Sequence, residues 1–249
     1  MIPRILLSTL LISATQLLVG QNASEIVRKA DEMMRGEKSS YSEMTMRIVR
    51  PKWERTLSFK SWSKGTELSL VYITAPAKEK GQAFLKINRE MWSWNPTINR
   101  TVKLPPSMLS QGWMGSDFTN DDLLNQRSIV VDYNHTISAT ETIDGEECWK
   151  ITLTPKPNAP VVWGKIVMWI SKKHYLVLKS EYYDEDQILV KTELASQIKQ
   201  IGGRTIPTLY ELLPADEPGN KTILELTKIR FNIDIKDSFF SLHNLTRVR

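Results

Sequence analysis

YSEMTMRIVR, residues 41–50, alternates Met44, Met46 and Ile48 with polar side chains. A period of two is typical of a β-strand with one buried face, because successive side chains of a strand point to opposite sides of the sheet. The same alternation continues in the next two stretches, and together they predict a meander of antiparallel strands. These stretches are ERTLSFKSW (54–62) and ELSLVYIT (67–74).

Strand-like patterns continue through most of the remaining chain. Residues 83–94 predict a hairpin, and long strands resume after residue 128 and run close to the C-terminus. The pairs Asp144-Gly145 and Gly202-Gly203 predict tight hairpin turns, because such residues readily adopt the positive φ angles that these turns need. A sheet of about ten strands usually curls, closes or splits into two layers.

One substantial helix is predicted, in NASEIVRKADEMMRGEKSS (22–40). Asn22 or Ser24 is its expected N-cap, and Gly36 is its expected end. With few helices to cover a large sheet, the predicted fold class is α+β. We expect a strongly curved antiparallel sheet that forms an incomplete, half-open β-barrel, with the N-terminal helix and short lid helices over its concave face. The apolar positions at helical spacing are Ile26, Val27, Ala30, Met33 and Met34.

Residues 104–124, LPPSMLSQGWMGSDFTNDDLL, are unusually apolar for a loop. A loop that faced only water would normally be polar, so apolar surface is expected beneath this one. We therefore predict a lid over the concave face. Thr119 is the expected N-cap of a short helix, with Asp121 and Asp122 in its first turn, where carboxylates interact favourably with the helix dipole. The large apolar side chains are Met108, Leu109, Trp113, Met114 and Phe118.

Residues 1–20, MIPRILLSTLLISATQLLVG, have the features of a secretory signal peptide. Arg4 supplies an early positive charge, and an apolar run extends from Ile5 to Val19. The run is short for a membrane span, and an uncleaved N-terminal anchor is the alternative. No cysteine lies near the expected cleavage site, so we expect a soluble periplasmic protein that is not itself lipidated. Residues 21–249 are then expected to form a single domain.

The composition argues against a nucleic-acid partner. The chain carries 33 Lys and Arg against 28 Asp and Glu, a net charge of +5. The basic residues are scattered among acidic ones, without the dense patch that nucleic acid requires. The single cysteine, Cys148, cannot form an internal disulfide and is expected to be a small buried apolar residue.

Motifs of catalysis are missing from the sequence. It contains no G-x-S-x-G elbow, H-E-x-x-H pair, P-loop or dinucleotide fingerprint, and its three histidines lack metal-ligand spacing. Asp117, Asp121 and Asp122 could be imagined as an acid–base or calcium site, but helix capping explains two of these charges. The sequence therefore predicts binding without catalysis, and neither a metal nor a cofactor.

The order of these features resembles the periplasmic lipoprotein-sorting carriers of the LolA/LolB type. After the N-terminal helix come MWSWNP (91–96), the apolar lid with its prolines, and a strand that ends in LTPK (153–156). The closer resemblance is to the related outer membrane lipoprotein-sorting proteins, in which a stretch like GSDFTNDDL (115–123) recurs. The resemblance covers nearly all of residues 21–249. It implies a half-open antiparallel barrel with helices across its mouth, which holds the acyl chains of a lipid-modified protein.

By position, the resemblance places Trp92, Trp94, Asn95 and Pro96 on an aromatic strand and the turn that follows it. The basic residue that helps to latch the lid in the lipoprotein carriers has no clear counterpart, and Lys64 is a loose candidate. The residues predicted to form the acyl cavity and its lid are Trp92, Trp94, Met108, Leu109, Trp113, Met114, Phe118, Leu123 and Leu124.

The predicted function is that of a periplasmic carrier or chaperone, which binds acyl chains of lipoproteins or lipids in a hydrophobic cavity and ferries them between the inner and outer membranes. The resemblance implies a lipidated protein or lipid as cargo, an inner-membrane exporter and an outer-membrane acceptor, and we expect a monomer. The alternative is a lipid- or lipoprotein-sensing accessory or regulatory module of an envelope membrane complex. An enzyme that acts on an apolar substrate is disfavoured by the missing catalytic motifs.

Overall fold

The computed structural model describes residues 22–35, 38–65, 67–120, 122 and 128–249, so the predicted signal peptide lies outside it. Thirteen strands in the described part form one antiparallel sheet. The strands are β1 Ser39–Arg50, β2 Trp53–Lys64, β3 Leu68–Ala75, β4 Ala83–Ile87, β5 Glu90–Asn95, β6 Arg100–Lys103, β7 Tyr133–Ile143, β8 Glu146–Pro155, β9 Lys165–Ser171, β10 Val177–Tyr183, β11 Leu189–Ile201, β12 Arg204–Pro214 and β13 Lys221–Phe231. The helices are α1 Ala23–Arg35, α2 Ser128–Val131 and α3 Leu242–Leu245.

The strand order is β6-β5-β4-β3-β2-β1-β13-β12-β11-β10-β9-β8-β7. Each strand pairs with the next strand along the chain, except that β6 and β7 are not neighbours and form the two edges of the sheet. The two halves of the sheet are joined by the pairing of β1 with β13. Because β6 and β7 are the two edges of the sheet, the barrel is incomplete. The predicted curved, half-open antiparallel sheet is confirmed.

The N-terminal helix α1 forms where its sequence predicts it. The side-chain oxygen of Asn22 accepts a hydrogen bond from the backbone N–H of Ser24 at 3.0 Å, as an N-cap does. Ile26 and Val27 are buried, and the helix packs against β7, β9 and β12. The expected end at Gly36 lies outside the described residues. No helix of the described part is both long and apolar enough to cross a membrane.

His135 joins α1 to the sheet. Its Nε2 lies 2.6 Å from the carbonyl oxygen of Ile129, and its Nδ1 lies 2.9 Å from the hydroxyl of Ser24. A carbonyl only accepts, so Nε2 donates and Nδ1 accepts from Ser24. Burial lowers the pKa of His135, which favours the neutral ring that this arrangement needs. The histidine therefore has a structural role in joining α1 to β7.

The two faces of the sheet have different covers. On one face, α1 packs over β7–β9. Strands from both halves of the sheet line one cavity beneath this helix, which identifies this face as the concave one. The other, convex face of β2–β5 is covered by the C-terminal segment, residues 232–249. Phe240, Leu245 and Val248 of that segment lie in one apolar cluster with Leu70 and Leu85.

Cys148 is buried on β8 in a cluster with Val167 and Leu178. Burial raises the pKa of its thiol, because the thiolate is poorly solvated there. The residue therefore packs as a small apolar side chain, which confirms the prediction.

Candidate functional site

A cavity of about 320 Å³ lies between α1, the concave face and the lid. Its walls come from β1–β4 on one side and from β9–β13 on the other. The volume is near the lower end of the range of about 300–1,000 Å³ that is usual for ligand pockets. The apolar part of its lining includes Met44, Phe59, Val71, Phe118, Met168 and Leu224.

The lid segment, residues 104–120, inserts an aromatic side chain against the concave face. Trp113 is 1% exposed, and its ring centre lies 5.3 Å from that of Phe59 and 5.4 Å from that of Phe84, both in edge-to-face geometry. Such ring pairs are more stabilising than their buried area alone. Phe118 is buried in the same cluster and also borders the cavity. The apolar surface expected beneath this loop is therefore the concave face of β1–β5.

A tight turn in the lid segment directs Trp113 inward. The backbone N–H of Trp113 donates to the carbonyl of Phe118 at 2.6 Å, and Met114 between them has a left-handed φ of 52°. A Cβ atom at Gly112 would lie 2.5 Å from the carbonyl oxygen of Ser116, so a side chain at this position would require the backbone to move. Glycine at 112 is thus needed for the turn.

A largely buried ion pair anchors the lid segment to the sheet. The carboxylate of Asp117 accepts hydrogen bonds from Arg50 Nη1 at 3.0 Å and Nη2 at 2.8 Å, and from the hydroxyl of Thr222 at 2.6 Å. Arg55 also donates to the backbone carbonyl of Met114. The lid is therefore held by β1, β2 and β13, and Asp117 serves as an anchor in this arrangement.

Replacing Asp117 by Ala is expected to lower the free energy of unfolding by about 3 kcal/mol, because it leaves the guanidinium of Arg50 buried without its counter-charge. Arg50→Ala should have a similar effect, and the double variant should lose clearly less than the sum of the two. Urea denaturation of the four proteins measures this. The exposed pair Lys103–Glu90 is the control and should show little coupling. Additive losses at Arg50 and Asp117 would show that the pair is not coupled.

The lid helix begins at the predicted N-cap. The hydroxyl of Thr119 accepts from the backbone N–H of Asp122 at 3.0 Å, and the carboxylate of Asp122 accepts from the backbone N–H of Thr119 at 2.7 Å. This reciprocal arrangement is a capping box. Asp121 lies outside the described residues.

Lys191 on β11 holds the start of the lid helix. It is 3% exposed, forms an ion pair with Asp122, and lies 4.6 Å from the ring centre of Trp163. Lys64, the candidate from sequence, instead contacts the carbonyl of Ile235 at 2.8 Å in the C-terminal segment on the convex side. At its position on β2, Lys64 therefore points away from the concave face and from the described residues of the lid.

Glu193 is an acidic group in the cavity wall, beside Lys191. Its carboxylate accepts from the hydroxyl of Tyr182 at 3.3 Å. Burial raises the pKa of Glu193 to about 7; the charge of Asp122 adds to this rise, and the charge of Lys191 opposes it. Burial likewise raises the pKa of Tyr182 and of Tyr210, so both hydroxyls stay protonated. The cavity thus contains a carboxyl group that titrates near neutral pH.

The raised pKa of Glu193 predicts a pH-dependent stability. A carboxyl group whose folded pKa is above its ordinary value of 4.5 contributes stability that is complete below pH 4.5 and lost as pH rises through about 7. Relative to Glu193→Gln, which cannot ionise, the natural protein should lose at most about 3 kcal/mol across this window. Denaturant melts of both proteins between pH 4.5 and 8 measure the difference. Parallel pH profiles would contradict the assignment.

The structure brings the predicted lid residues together. Trp113 and Phe118 are buried in one cluster with the concave face, and Leu109 and Met114 are partly buried against it. Met108 is 37% exposed and lies at the outer surface of the lid. Of these five side chains, that of Phe118 borders the cavity itself.

Trp92 and Trp94 do not line this cavity. The pairing of β4 with β5 puts Met91 on the concave face, so the alternate residues Trp92 and Trp94 point to the convex face, where they pack in the cluster of the C-terminal segment. A shift of one residue along a strand reverses every side chain, which is why the sequence-based assignment placed them on the other side. Leu123 and Leu124 lie outside the described residues.

The sequence-based assignment missed the polar group at the cavity, which is formed by Asp122, Tyr182, Lys191 and Glu193. A weak signal exists in ILVKTELASQI (188–198), because Lys191 and Glu193 are two residues apart and must share one face of their strand. Opposite charges on one face are equally typical of a solvent-exposed surface, so this signal alone does not identify a cavity.

Three solved structures share this architecture. The chain is similar to a DUF1329 family protein from Desulfovibrio piger, with a TM-score of 0.81 and 26% identity over 90% of this chain and 97% of that one. It is similar to a LolA superfamily protein from Nitrosomonas europaea, with a TM-score of 0.78 and 27% identity over 90% and 99% of the two chains. A protein from Vibrio parahaemolyticus, provisionally described as an outer membrane lipoprotein-sorting protein domain, has the same fold, with a TM-score of 0.79 and 22% identity over 90% and 98%.

The curved open sheet and the helix over its concave face define a LolA-like incomplete barrel, and the resemblance seen in the sequence is confirmed. The model of a family described as "Uncharacterized protein" matches residues 65–247, more than half of the chain, and the chain belongs to that family. A comparison with functionally curated proteins finds no match.

Proposed function

We propose that this protein is a periplasmic carrier, which shelters the acyl chains of a lipoprotein or lipid in its cavity and moves them between the inner and outer membranes. The observation that carries the proposal is the cavity of about 320 Å³ with apolar walls beneath an apolar lid. The LolA-like fold supports it. In this proposal residues 1–20 direct export and are removed, and residues 21–249 work as one binding domain without a chemical step.

The physics of acyl chains explains why such a carrier is needed. A chain of about fifteen methylenes costs about 12 kcal/mol to place in water, at about 0.8 kcal/mol for each methylene. A carrier must cover the chain and also release it. Methionine suits this task because its flexible, polarisable side chain adapts to irregular ligands. Met34, Met44 and Met168 border the cavity.

The size of the cavity limits its cargo while the lid is closed. A volume of about 320 Å³ lies near the lower end of the range for ligand pockets, so the closed cavity suits one acyl chain better than several. A cargo with several chains would need the lid segment to move. The contacts that such a movement would break are Arg50 with Asp117 and Lys191 with Asp122.

A transfer assay tests the proposal. Donor vesicles carry a fluorescent phospholipid or an acylated peptide, acceptor vesicles carry a quencher, and the mature protein is added at increasing concentration. A carrier should raise the transfer rate in proportion to its concentration. Binding without faster transfer would favour the sensing module, and the absence of both binding and transfer would contradict an acyl-binding function.

A further inference from the structure

The connections between strands at one end of the barrel fall into two groups of different charge. Because paired strands are antiparallel, the connections after β1, β3 and β5 lie at the same end of the sheet as those after β10 and β12. We call residues 51–54, 76–82 and 96–100 the basic tips, and residues 184–188 and 215–220 the acidic tips. The strand order places the basic tips on one side of the pairing of β1 with β13 and the acidic tips on the other.

The basic tips carry exposed cations that no carboxylate neutralises. The two acidic residues of these tips are already paired, Glu54 with Arg47 at 3.6 Å and Glu79 with Arg55 at 3.9 Å. Among the described residues, no ion pair involves the other charged side chains of the basic tips, which are those of Lys52, Lys78, Lys80 and Arg100.

The acidic tips have the opposite charge. They contain five carboxylates and no lysine or arginine. The remaining connection at this end, residues 156–164, contributes only Lys156. One side of this end of the barrel is therefore basic, and most of the other side is acidic. The carboxylates belong to Asp184, Glu185, Asp186, Asp216 and Glu217.

Two large apolar side chains are exposed on the basic tips. Trp53 is 49% exposed and Ile98 is 63% exposed. Trp53 begins β2 and Ile98 lies between β5 and β6, so about three strand spacings, or about 15 Å, separate them along the edge of the sheet. The tip between β3 and β4, with Lys78 and Lys80, lies between them. Exposed aromatic and aliphatic side chains beside lysines are typical of surfaces that bind the interface of a membrane.

The lid segment is anchored at the same end. Arg50 at the end of β1 binds Asp117 of the lid segment, and its guanidinium carbon lies 5.8 Å from the ring centre of Trp53. Arg55 likewise contacts both Glu79 of a basic tip and the carbonyl of Met114 in the lid segment. The basic tips are therefore next to the contacts that hold the lid.

We propose that the basic tips bind the surface of a bilayer that contains anionic phospholipid, with the side chains of Trp53 and Ile98 in its head-group region. Each lysine or arginine near such a surface contributes about fivefold to the affinity. The same surface repels the acidic tips, so the protein binds through one side of this end. This inference rests on the proposed carrier function and deepens it, because it names the surface through which the carrier meets a membrane.

Vesicle sedimentation tests the apolar part of this surface, with the mature protein, residues 21–249. Vesicles of phosphatidylcholine with about a third phosphatidylglycerol should bind it at least about tenfold more tightly than vesicles of phosphatidylcholine alone, and added salt should weaken the binding. Replacing Trp53 and Ile98 together by Ser should lower the affinity for the anionic vesicles at least about tenfold. Ile188→Ser is the matched control, because Ile188 is 62% exposed on an acidic tip, and it should leave the affinity unchanged.

A pair of charge variants tests the basic part. Lys78→Gln with Lys80→Gln should lower the affinity for the anionic vesicles at least about tenfold. Lys173→Gln with Lys199→Gln removes the same charge from exposed positions towards the opposite end of the barrel, and this control should bind almost as the natural protein does. All the replaced side chains are exposed, so these variants should fold normally.

The outcomes separate the docking surface from the acyl cavity. Equal binding to both kinds of vesicle, or no effect of replacing Trp53 and Ile98, would overturn the docking surface. Absence of binding to the anionic vesicles would also overturn it, and an acidic protein would then be the better partner for the basic tips. Acyl binding is measured separately, by titration with a fluorescent fatty-acid probe without vesicles. Leu224→Trp, which narrows the cavity, should still bind the anionic vesicles; its failure to do so would show that vesicles are bound through the cavity.

Discussion

Trp113→Ala is expected to lower the free energy of unfolding by about 3–5 kcal/mol, the range for an aromatic side chain removed from a core. Trp113 is almost completely buried, and its ring packs edge to face against Phe59 and Phe84. Alanine would leave a void between the lid segment and the concave face. Urea denaturation, followed by circular dichroism, gives the difference directly.

Met108→Ala is the matched control for this change. Met108 lies in the same segment but at its outer surface, so its loss should change stability by no more than about 0.5 kcal/mol. If Trp113→Ala were as mild as Met108→Ala, the lid segment would not be packed on the sheet. A large loss at Trp113 alone establishes that the lid contributes to the folded core.

Leu224→Trp is expected to weaken acyl binding at least about tenfold, because the indole would occupy space that the ligand needs. Leu224 lies on β13 in the middle of the concave face and borders the cavity. An added ring that enters existing space should cost little stability, about 1–3 kcal/mol at most. Titration with a fluorescent fatty-acid probe measures the affinity, and a urea melt measures the stability.

Val102→Trp provides the control for added aromatic bulk. Val102 is exposed on the edge strand β6 and is not part of the cavity lining, so its replacement should leave the affinity unchanged. Unchanged probe binding in a folded Leu224→Trp protein would mean that the acyl chain binds elsewhere.

The repeating patterns of the sequence were sufficient to predict the architecture. Met44, Met46 and Ile48 alternate on β1 as predicted, and Ile26 and Val27 are buried on α1. Such patterns work because each strand or helix must bury one face, so the sequence itself records the period of that face. Pairing of the first strand with the last was not predictable in this way, since contacts distant in sequence leave no periodic signal.

The lid was predicted from a local conflict between composition and context. Trp113 and Phe118 lie in a loop that should be polar if exposed, and both are buried against the sheet. What could not be predicted was how the loop is fastened. Arg50 and Thr222 are 172 positions apart in the chain, and only the pairing of β1 with β13 brings both of them to Asp117.

Cavity-facing residues were the least predictable part of the site. Trp92 and Trp94 share one face of β5, but periodicity alone does not say which face of a sheet is concave, and the C-terminal segment covers theirs. Similarly, Ser40 and Ser42 share the face of Met44 in the sequence. Only their pairing with Ser63 and Ser61 on β2 shows that they belong to a polar part of the cavity lining. The first case depends on which face of the sheet is concave and the second on the register between β1 and β2, and neither can be read from the periodicity of a single strand.

The most direct test of acyl binding is native mass spectrometry of the protein purified from the periplasm, the compartment that the proposed function assigns to it, with Leu224→Trp purified in parallel. We expect an added mass on the natural protein that organic extraction identifies as an acylated molecule, and we expect this mass to be absent from Leu224→Trp. A ligand-free mass for the natural protein, which persists after incubation with phospholipid and with acylated peptide, would contradict acyl binding.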